Sequence, residues 1–266
     1  MVARVRRLAG QKRVGHAGTL DPMATGVLPV LLGRATRLMD LIQSGQKTYI
    51  ADIQLGVATE TDDREGSRVS SADVPPLDGP VLEETLAGFT GDIQQTPPKY
   101  SALKVGGQRA YALARGGAAV TLAPRTVTIH ALQLVDYSEA SLRIQVTCSK
   151  GTYIRALARD IAVALGTVGH LSSLTRTRVG PFAIENAVAI DDPDLVVSDA
   201  LLPASRALPD APTFTASVDE TRRLLNGQAI AVSGLQAECV WVYDPQDQLL
   251  CLATADSAQL KPHIAL

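Results

Sequence analysis

Two patterns predict a chain that mixes strands with helices. Segments in which apolar residues alternate, 48–55 and more cleanly 142–148, are followed by a segment of helical period at 152–165. At 266 residues, 46% hydrophobic and 20% charged, the chain can bury a large core and a smaller second one. No apolar run is long enough to span a bilayer, and the basic start MVARVRRLAGQKR lacks the apolar centre of a secretory signal. A cytoplasmic protein is expected. Cys148, Cys239 and Cys251 are far apart, odd in number and without histidines at ligand spacing, so neither a disulfide framework nor a zinc site is indicated.

Taken in order, residues 2–10 read as a basic helix closed by Gly10, with Val5 and Leu8 on one side and Arg4, Arg6 and Arg7 elsewhere. Residues 13–37 follow, and in them Asp21 stands after a Gly15-His16-Ala17-Gly18 turn and before an uncharged run. Two readings stand. Asp21 is an N-cap with Pro22 at the first position of a buried helix over 23–32, or the turn presents its carboxylate to a pocket as nucleophile or base.

In the strand over 48–55, Tyr49, Ala51, Ile53 and Leu55 share one face, and Ile50, Asp52 and Gln54 the other. Residues 56–66 and 74–80 are polar loops and 81–89 a short helix. Between 95 and 117, Pro97-Pro98 forces an extended entry, Gly106-Gly107 makes a tight turn, and 109–115 is a short basic helix. The strand over 127–134 loses its alternation between Ile129 and Leu132, the mark of a bulge. In the next strand Leu142, Ile144, Val146 and Cys148 point inward. Gly151 ends it, and Ile154, Leu157, Ala158, Ile161 and Leu165 make one face of a helix stopped by Gly166. Tyr153 and Arg155 sit at that junction. An arginine in a first helical turn is disfavoured by the dipole, so an anion nearby is expected, and Asp21 is a candidate.

The net charge of −2 hides a division: +6 over residues 1–50, −5 over 51–142, +5 over 143–180 and −8 over 181–266. If the two basic blocks meet in the fold they offer a face for a phosphate backbone. Residues 183–210 form a linker rich in Asp, Pro and Ala. Beyond it lie a helix over 218–226 and strands near 228–232, 239–243 and 249–253, the last two joined by a DPQDQ turn.

The runs GHAGTLDPMATGVLPV, KTYIADIQLG, CSKGTYIRALARD and HLSSLTRTRVGPF occur in the order found in the bacterial tRNA pseudouridine synthase B (TruB) family, which the chain resembles over residues 13–182. The resemblance implies an α+β class, the pseudouridine synthase fold with a mixed, mainly antiparallel sheet and a small C-terminal PUA-like β domain. Residues 1–182 would then be catalytic, 183–210 the linker and domain edge, and 211–266 the PUA-like domain. It also implies conversion of uridine 55 in the TΨC loop of tRNA to pseudouridine. Asp21 matches the family's catalytic aspartate, Tyr49 its active-site tyrosine and Arg155 the arginine paired with the aspartate. His16, Tyr153 and Leu174 match pocket positions. Lys12, Arg13, Lys104, Arg109, Arg176 and Arg178 are candidates for phosphate contacts. No cofactor, metal or obligatory protein partner is implied, nor any membrane; a monomer acting on the tRNA stem-loop is expected.

Members of the family normally carry a strand and a Lys-Pro-x-Gly-x-Thr-Ser motif ahead of the first helix, and this chain starts in that helix. On that ground a second reading is a tRNA-binding or folding protein with weakened or lost catalysis. Retention of Asp21, Tyr49 and Arg155 argues for the enzyme, since binding alone requires no nucleophile.

Overall fold

The computed structural model describes residues 1–101, 104–105, 108–109 and 122–266. It divides into two compact units, one of Leu20–Val27 with Ser44–Val179, the other of Met1–Thr19, Leu28–Gln43 and Gly180–Leu266.

The first unit is built on a sheet of β1 (Lys47–Leu55), β2 (Gly91–Gln95), β3 (Arg125–Ser138), β4 (Ser141–Cys148) and β5 (Gly169–Val179), in the order β5-β1-β4-β3-β2. All four of these pairings are antiparallel. The short strand Thr25–Gly26 joins β5 in parallel, which makes the sheet mixed. One face carries Ala51, Ile53, Ile129, Leu142, Ile144 and Val146, covered by Leu157 and Ile161 of helix α2 (Ile154–Ala164) and by Leu82 and Leu86 of helix α1 (Gly79–Ala87). Alternation on the strands and the 3.6-residue period on α2 thus meet in one core. The bulge expected after Ile129 is present, as a register shift between Ile129 and Ala131 against β4. β5 has two shifts of its own, between Leu171 and Ser173 and between Arg176 and Arg178.

Three expectations are corrected. No helix forms over 23–32; the chain makes a turn after Asp21 and then the strands Thr25–Gly26 and Val30–Leu32. Pro29 would break such a helix, and Gly26 has φ +98°, with a Cβ position only 2.2 Å from the Arg176 carbonyl oxygen. The acidic stretch 56–66 is not all loop, because Val57–Thr59 pairs with Arg68–Ser71. The C-terminal region has five strands rather than three, in the order Thr213–Thr215, Gln236–Tyr243, Leu249–Asp256, Gln259–Ala265, Ile230–Ala231. The expected Gly106-Gly107 turn and the helix over 109–115 fall outside the described residues, although Lys104–Val105 does pair antiparallel with Gln108–Arg109.

In the second unit, helix Val2–Leu8 buries Val5 and leaves Leu8 exposed. Strand Val14–His16 pairs with Val30–Leu32. The C-terminal strands enclose Leu224, Ile230, Val240, Val242 and Leu260, and Ser217 with Glu220 form a capping box at the start of helix Val218–Leu225. Arg34 and Arg37 donate to the carbonyl oxygens of Leu266 and Ala265, each at 2.9 Å. No helix among the described residues is long and apolar enough to cross a membrane.

Candidate active site

The segment Leu20–Val27 is fixed at two points. Met23 enters the core of the sheet, and Thr25 and Gly26 pair with Thr175 and Arg176 of β5. Between them the Ala24 amide donates to the Asp21 carbonyl oxygen at 2.9 Å, closing a turn that carries the Asp21 side chain. No helix follows, so Asp21 is not an N-cap. Its carboxylate meets Arg155, the second residue of α2.

Arg155 is held from all sides. Its Nε donates to Asp21 Oδ2 at 3.1 Å and Nη2 to Asp21 Oδ1 at 3.2 Å, so the guanidinium fork fixes the plane of the carboxylate. Nη1 donates to the Thr61 carbonyl at 2.9 Å, Nη2 to the Tyr100 carbonyl at 2.9 Å, and Asp63 Oδ2 lies 3.4 Å from Nη1. The Arg155 side chain is 6% exposed and that of Asp21 31%, so the pair is buried on the arginine side and open on the carboxylate side. Two carboxylates offset the unfavourable helix-dipole position, where one was expected.

Asp63 is the residue that the sequence reading missed. It belongs to the TETDDREG stretch, which reads as solvated acid, yet its side chain is only 6% exposed. Thr61 Oγ1 donates to its Oδ1 at 2.5 Å and the Glu65 amide at 3.0 Å. The stretch is docked on β5 by the Leu171 and Arg64 amides, which donate to the Asp62 and Leu171 carbonyls at 3.0 Å each. One helical turn beyond Arg155, Arg159 pairs with Asp62 at 2.9 Å and with Asp160 at 2.9 Å. Burial pushes the carboxyl groups of Asp62 and Asp160 above the usual range, and the Arg159 charge pulls both back. The one sequence signal for this network is the cost of burying an arginine, which a single exposed aspartate does not meet.

Tyr49 sits on β1 opposite Val146 of β4 and Arg176 of β5, on the face that also holds Ala51 and Leu174. Burial pushes its phenol above the ordinary value; Arg176 opposes the rise through charge and hydrogen bonding, and the Asp21 charge adds to it. Tyr153 is the N-cap residue of α2. Gln95, fully buried, donates from Nε2 to its carbonyl at 3.1 Å and accepts from its amide at 2.8 Å, which locks the strand-to-helix junction. The Arg125 guanidinium covers the Tyr153 ring at 4.8 Å.

The structure therefore brings together Asp21, Tyr49, Arg155, Tyr153 and Leu174 in one unit. His16 lies in the other, half-buried, its Nδ1 enclosed with no hydrogen-bond partner among the described residues. Of the expected phosphate contacts, Arg178, Lys12 and Arg13 are exposed, with Arg13 Nε donating to Thr36 Oγ1 at 2.7 Å. Arg176 is a correction: at 1% exposure it is turned inward, its Nε donating to the Val27 carbonyl at 2.8 Å. The side chains of Lys104 and Arg109 fall outside the described residues. No group of His, Cys, Asp and Glu among the described residues is arranged to hold a metal ion.

An oriented, half-open carboxylate beside a phenol suits nucleophilic or proton-transfer chemistry on a bound ring. The comparisons with known proteins agree. Residues 6–154 match the TruB family pseudouridylate synthase (N terminal domain), and residues 155–206 the tRNA pseudouridylate synthase B C-terminal domain. The chain is 43% identical to tRNA pseudouridine synthase B of Thermobifida fusca (strain YX), over 98% of this chain and 92% of that one. It is 44% identical to the protein of the same name from Caulobacter sp. (strain K31), over 89% and 78%. Among solved structures, a Cbf5-Nop10-Gar1 complex aligns with TM-score 0.72 and 24% identity over 100% of this chain and 79% of that chain. An H/ACA RNP bound to a substrate RNA containing 2'-deoxyuridine aligns with TM-score 0.70 and 22% identity, over 99% and 79%. These two share the fold. On the sequence matches, the chain belongs to the TruB family of pseudouridylate synthases.

Proposed function

We propose that the protein isomerises uridine 55 in the TΨC loop of tRNA to pseudouridine. The observation that carries this reading is the Asp21 carboxylate gripped by Nε and Nη2 of Arg155, with Asp21 acting on the Tyr49 phenol. The names of the curated relatives supply the tRNA substrate.

The reaction breaks the N1–C1' bond, rotates the uracil and joins C5 to C1', after which the C5 proton leaves; nothing is oxidised or hydrolysed. Asp21 either adds covalently or removes a sugar proton, and both routes require the ionised carboxylate that Arg155 orients. A base inside an RNA loop has to be flipped out and stacked, and Tyr49 offers the ring face and a phenol oxygen to exchange the C5 proton. Tyr153 and Leu174 line the same pocket, and His16 meets the RNA loop. Lys12, Arg13, Lys104, Arg109 and Arg178 contact phosphates. Residues 1–182 form the catalytic region, and 211–266 a PUA-like domain whose acidity limits it to local RNA contacts.

The test is tritium release from an unmodified tRNA transcript carrying 5-tritiated uridine. The wild-type chain releases the label of one uridine, and Asp21→Asn stops release while tRNA affinity stays within about threefold. A wild-type chain that binds the transcript and releases nothing refutes the reading.

A further inference from the structure

We infer that Arg176 is a positioning residue that ties the Asp21 segment to Tyr49 and so sets the phenol's place relative to the carboxylate. The inference deepens the proposed reaction and rests on the roles given there to Asp21 and Tyr49.

The geometry has three parts. Arg176 and Tyr49 are direct cross-strand partners, so their side chains share the inner face of the sheet, next to Val146. Arg176 also grips Val27 twice: its Nε donates to the Val27 carbonyl at 2.8 Å, and its own carbonyl accepts the Val27 amide at 2.8 Å. Gly26 makes this approach possible, because a Cβ there would collide with the Arg176 backbone. One residue therefore holds the downstream end of the segment that presents Asp21 and stands against the phenol on β1.

Burying a guanidinium to 1% exposure is costly unless its charge is used. A phosphate has no access to it. The charged and titratable groups acting on the phenol are Arg176 from β5, Cys148 from β4 and Asp21 from its turn, with Lys47 two residues away on β1. Among the described residues Arg176 is the one cation acting on the phenol, so it is what opposes the effects of burial and of Asp21 there. Its planar fork makes the link rigid, and lysine reproduces the charge without the fork.

The test uses the full chain labelled with 13C at tyrosine Cζ, the Tyr49 resonance being assigned by its loss in Tyr49→Phe. Arg176→Met raises the Tyr49 titration midpoint, and Arg176→Lys leaves it in place. A merely structural role gives the opposite sign, since loosened packing exposes the phenol and lowers the midpoint towards that of free tyrosine. In the tritium assay Arg176→Met slows release by about tenfold or more with tRNA affinity within about threefold, and adds less than about threefold on top of Tyr49→Phe. An unmoved or lowered midpoint overturns the inference. So do losses that multiply with those of Tyr49→Phe, or weaker tRNA binding at an intact rate. If Arg176→Met does not fold, Arg176→Gln keeps a donor for Val27 without the charge and serves the same test. Should the wild-type chain release no tritium, the proposed reaction fails, and the Tyr49 titration still decides whether Arg176 acts on the phenol.

Discussion

Replacing Arg155 by methionine strands Asp63. In the native fold the Asp63 carboxylate, 6% exposed, has the Arg155 Nη1 at 3.4 Å, the Thr61 hydroxyl and the Glu65 amide around it. The methionine removes the only cation among these and leaves the charge buried. Breaking a buried pair in this way costs about 3–5 kcal/mol. The Thr61 and Tyr100 carbonyls lose their donors as well, at about 1 kcal/mol each. Asp21 adds little, since its side chain is 31% exposed and water replaces the lost partner. At about 2–4 °C per kcal/mol for a chain of this size, a loss of about 5–7 kcal/mol lowers the melting temperature by roughly 10–28 °C. Adding Asp63→Asn removes the stranded charge and recovers about half of the loss, and Arg155→Lys falls between the two because it keeps the charge and loses the fork. Thermal melts at neutral pH measure all four proteins. A methionine variant that melts within about 2 °C of wild type, or a double variant less stable than the single one, refutes the reasoning.

Gly26→Ala sets a Cβ against the Arg176 main chain at φ +98°, at a cost of about 2 kcal/mol or more; tritium release drops sharply and the melting temperature falls by roughly 4–8 °C. Gln95→Leu takes the acceptor from the Tyr153 amide, while the Tyr153 carbonyl keeps the Leu157 amide at 3.1 Å, and costs about 1–3 kcal/mol by thermal melt, with activity falling as the α2 start loses its lock. Burial pushes the Cys148 and Cys251 thiols from 9.0 up to about 11. The folded chain keeps these protons where the unfolded chain has lost them, so stability declines as pH rises from about 9 towards 11 and is unaffected by the thiols below that window. Chemical denaturation across the window shows a flatter decline for the Cys148→Ala, Cys251→Ala variant.

The parts of the fold that are legible in the sequence are those where one side of an element is buried along its whole length. Strands β1 and β4 alternate because Ala51, Ile53, Leu55, Leu142, Ile144 and Val146 face a single core, and α2 shows its period because Leu157 and Ile161 face the same one. The bulge after Ile129 is legible for the same reason, as a break in an otherwise regular row. What local pattern misreads is set by tertiary partners. Asp-Pro before an apolar run looks like a helix start, and the pairing of Gly26 with Arg176 overrules it. Strand Gln259–Ala265 is hidden by Pro262, whose lack of an amide donor counts against a strand in sequence but not at the irregular register it occupies. At the site, Asp21 and Arg155 were paired by their residue types, whereas Asp63 sits in a stretch whose polarity says surface. Only the docking of that stretch on β5 brings it under the arginine.

The shift in β5 between Arg176 and Arg178 sorts two identical side chains. At a spacing of two residues, regular pleating would send both arginines to one face. Thr177 is the extra residue; its hydroxyl donates to the Thr48 carbonyl at 3.2 Å, and beyond it Arg178 pairs with Thr48 and faces water while Arg176 pairs with Tyr49 and faces inward. Were Thr177 paired in the ladder opposite Thr48 instead, Arg178 would stand opposite Lys47 on the inner face, beside an ammonium that is already desolvated. Three cations would then crowd the inner face of the sheet. A single surplus residue thus lets the same amino acid be used twice within three positions, once for the protein interior and once for solvent.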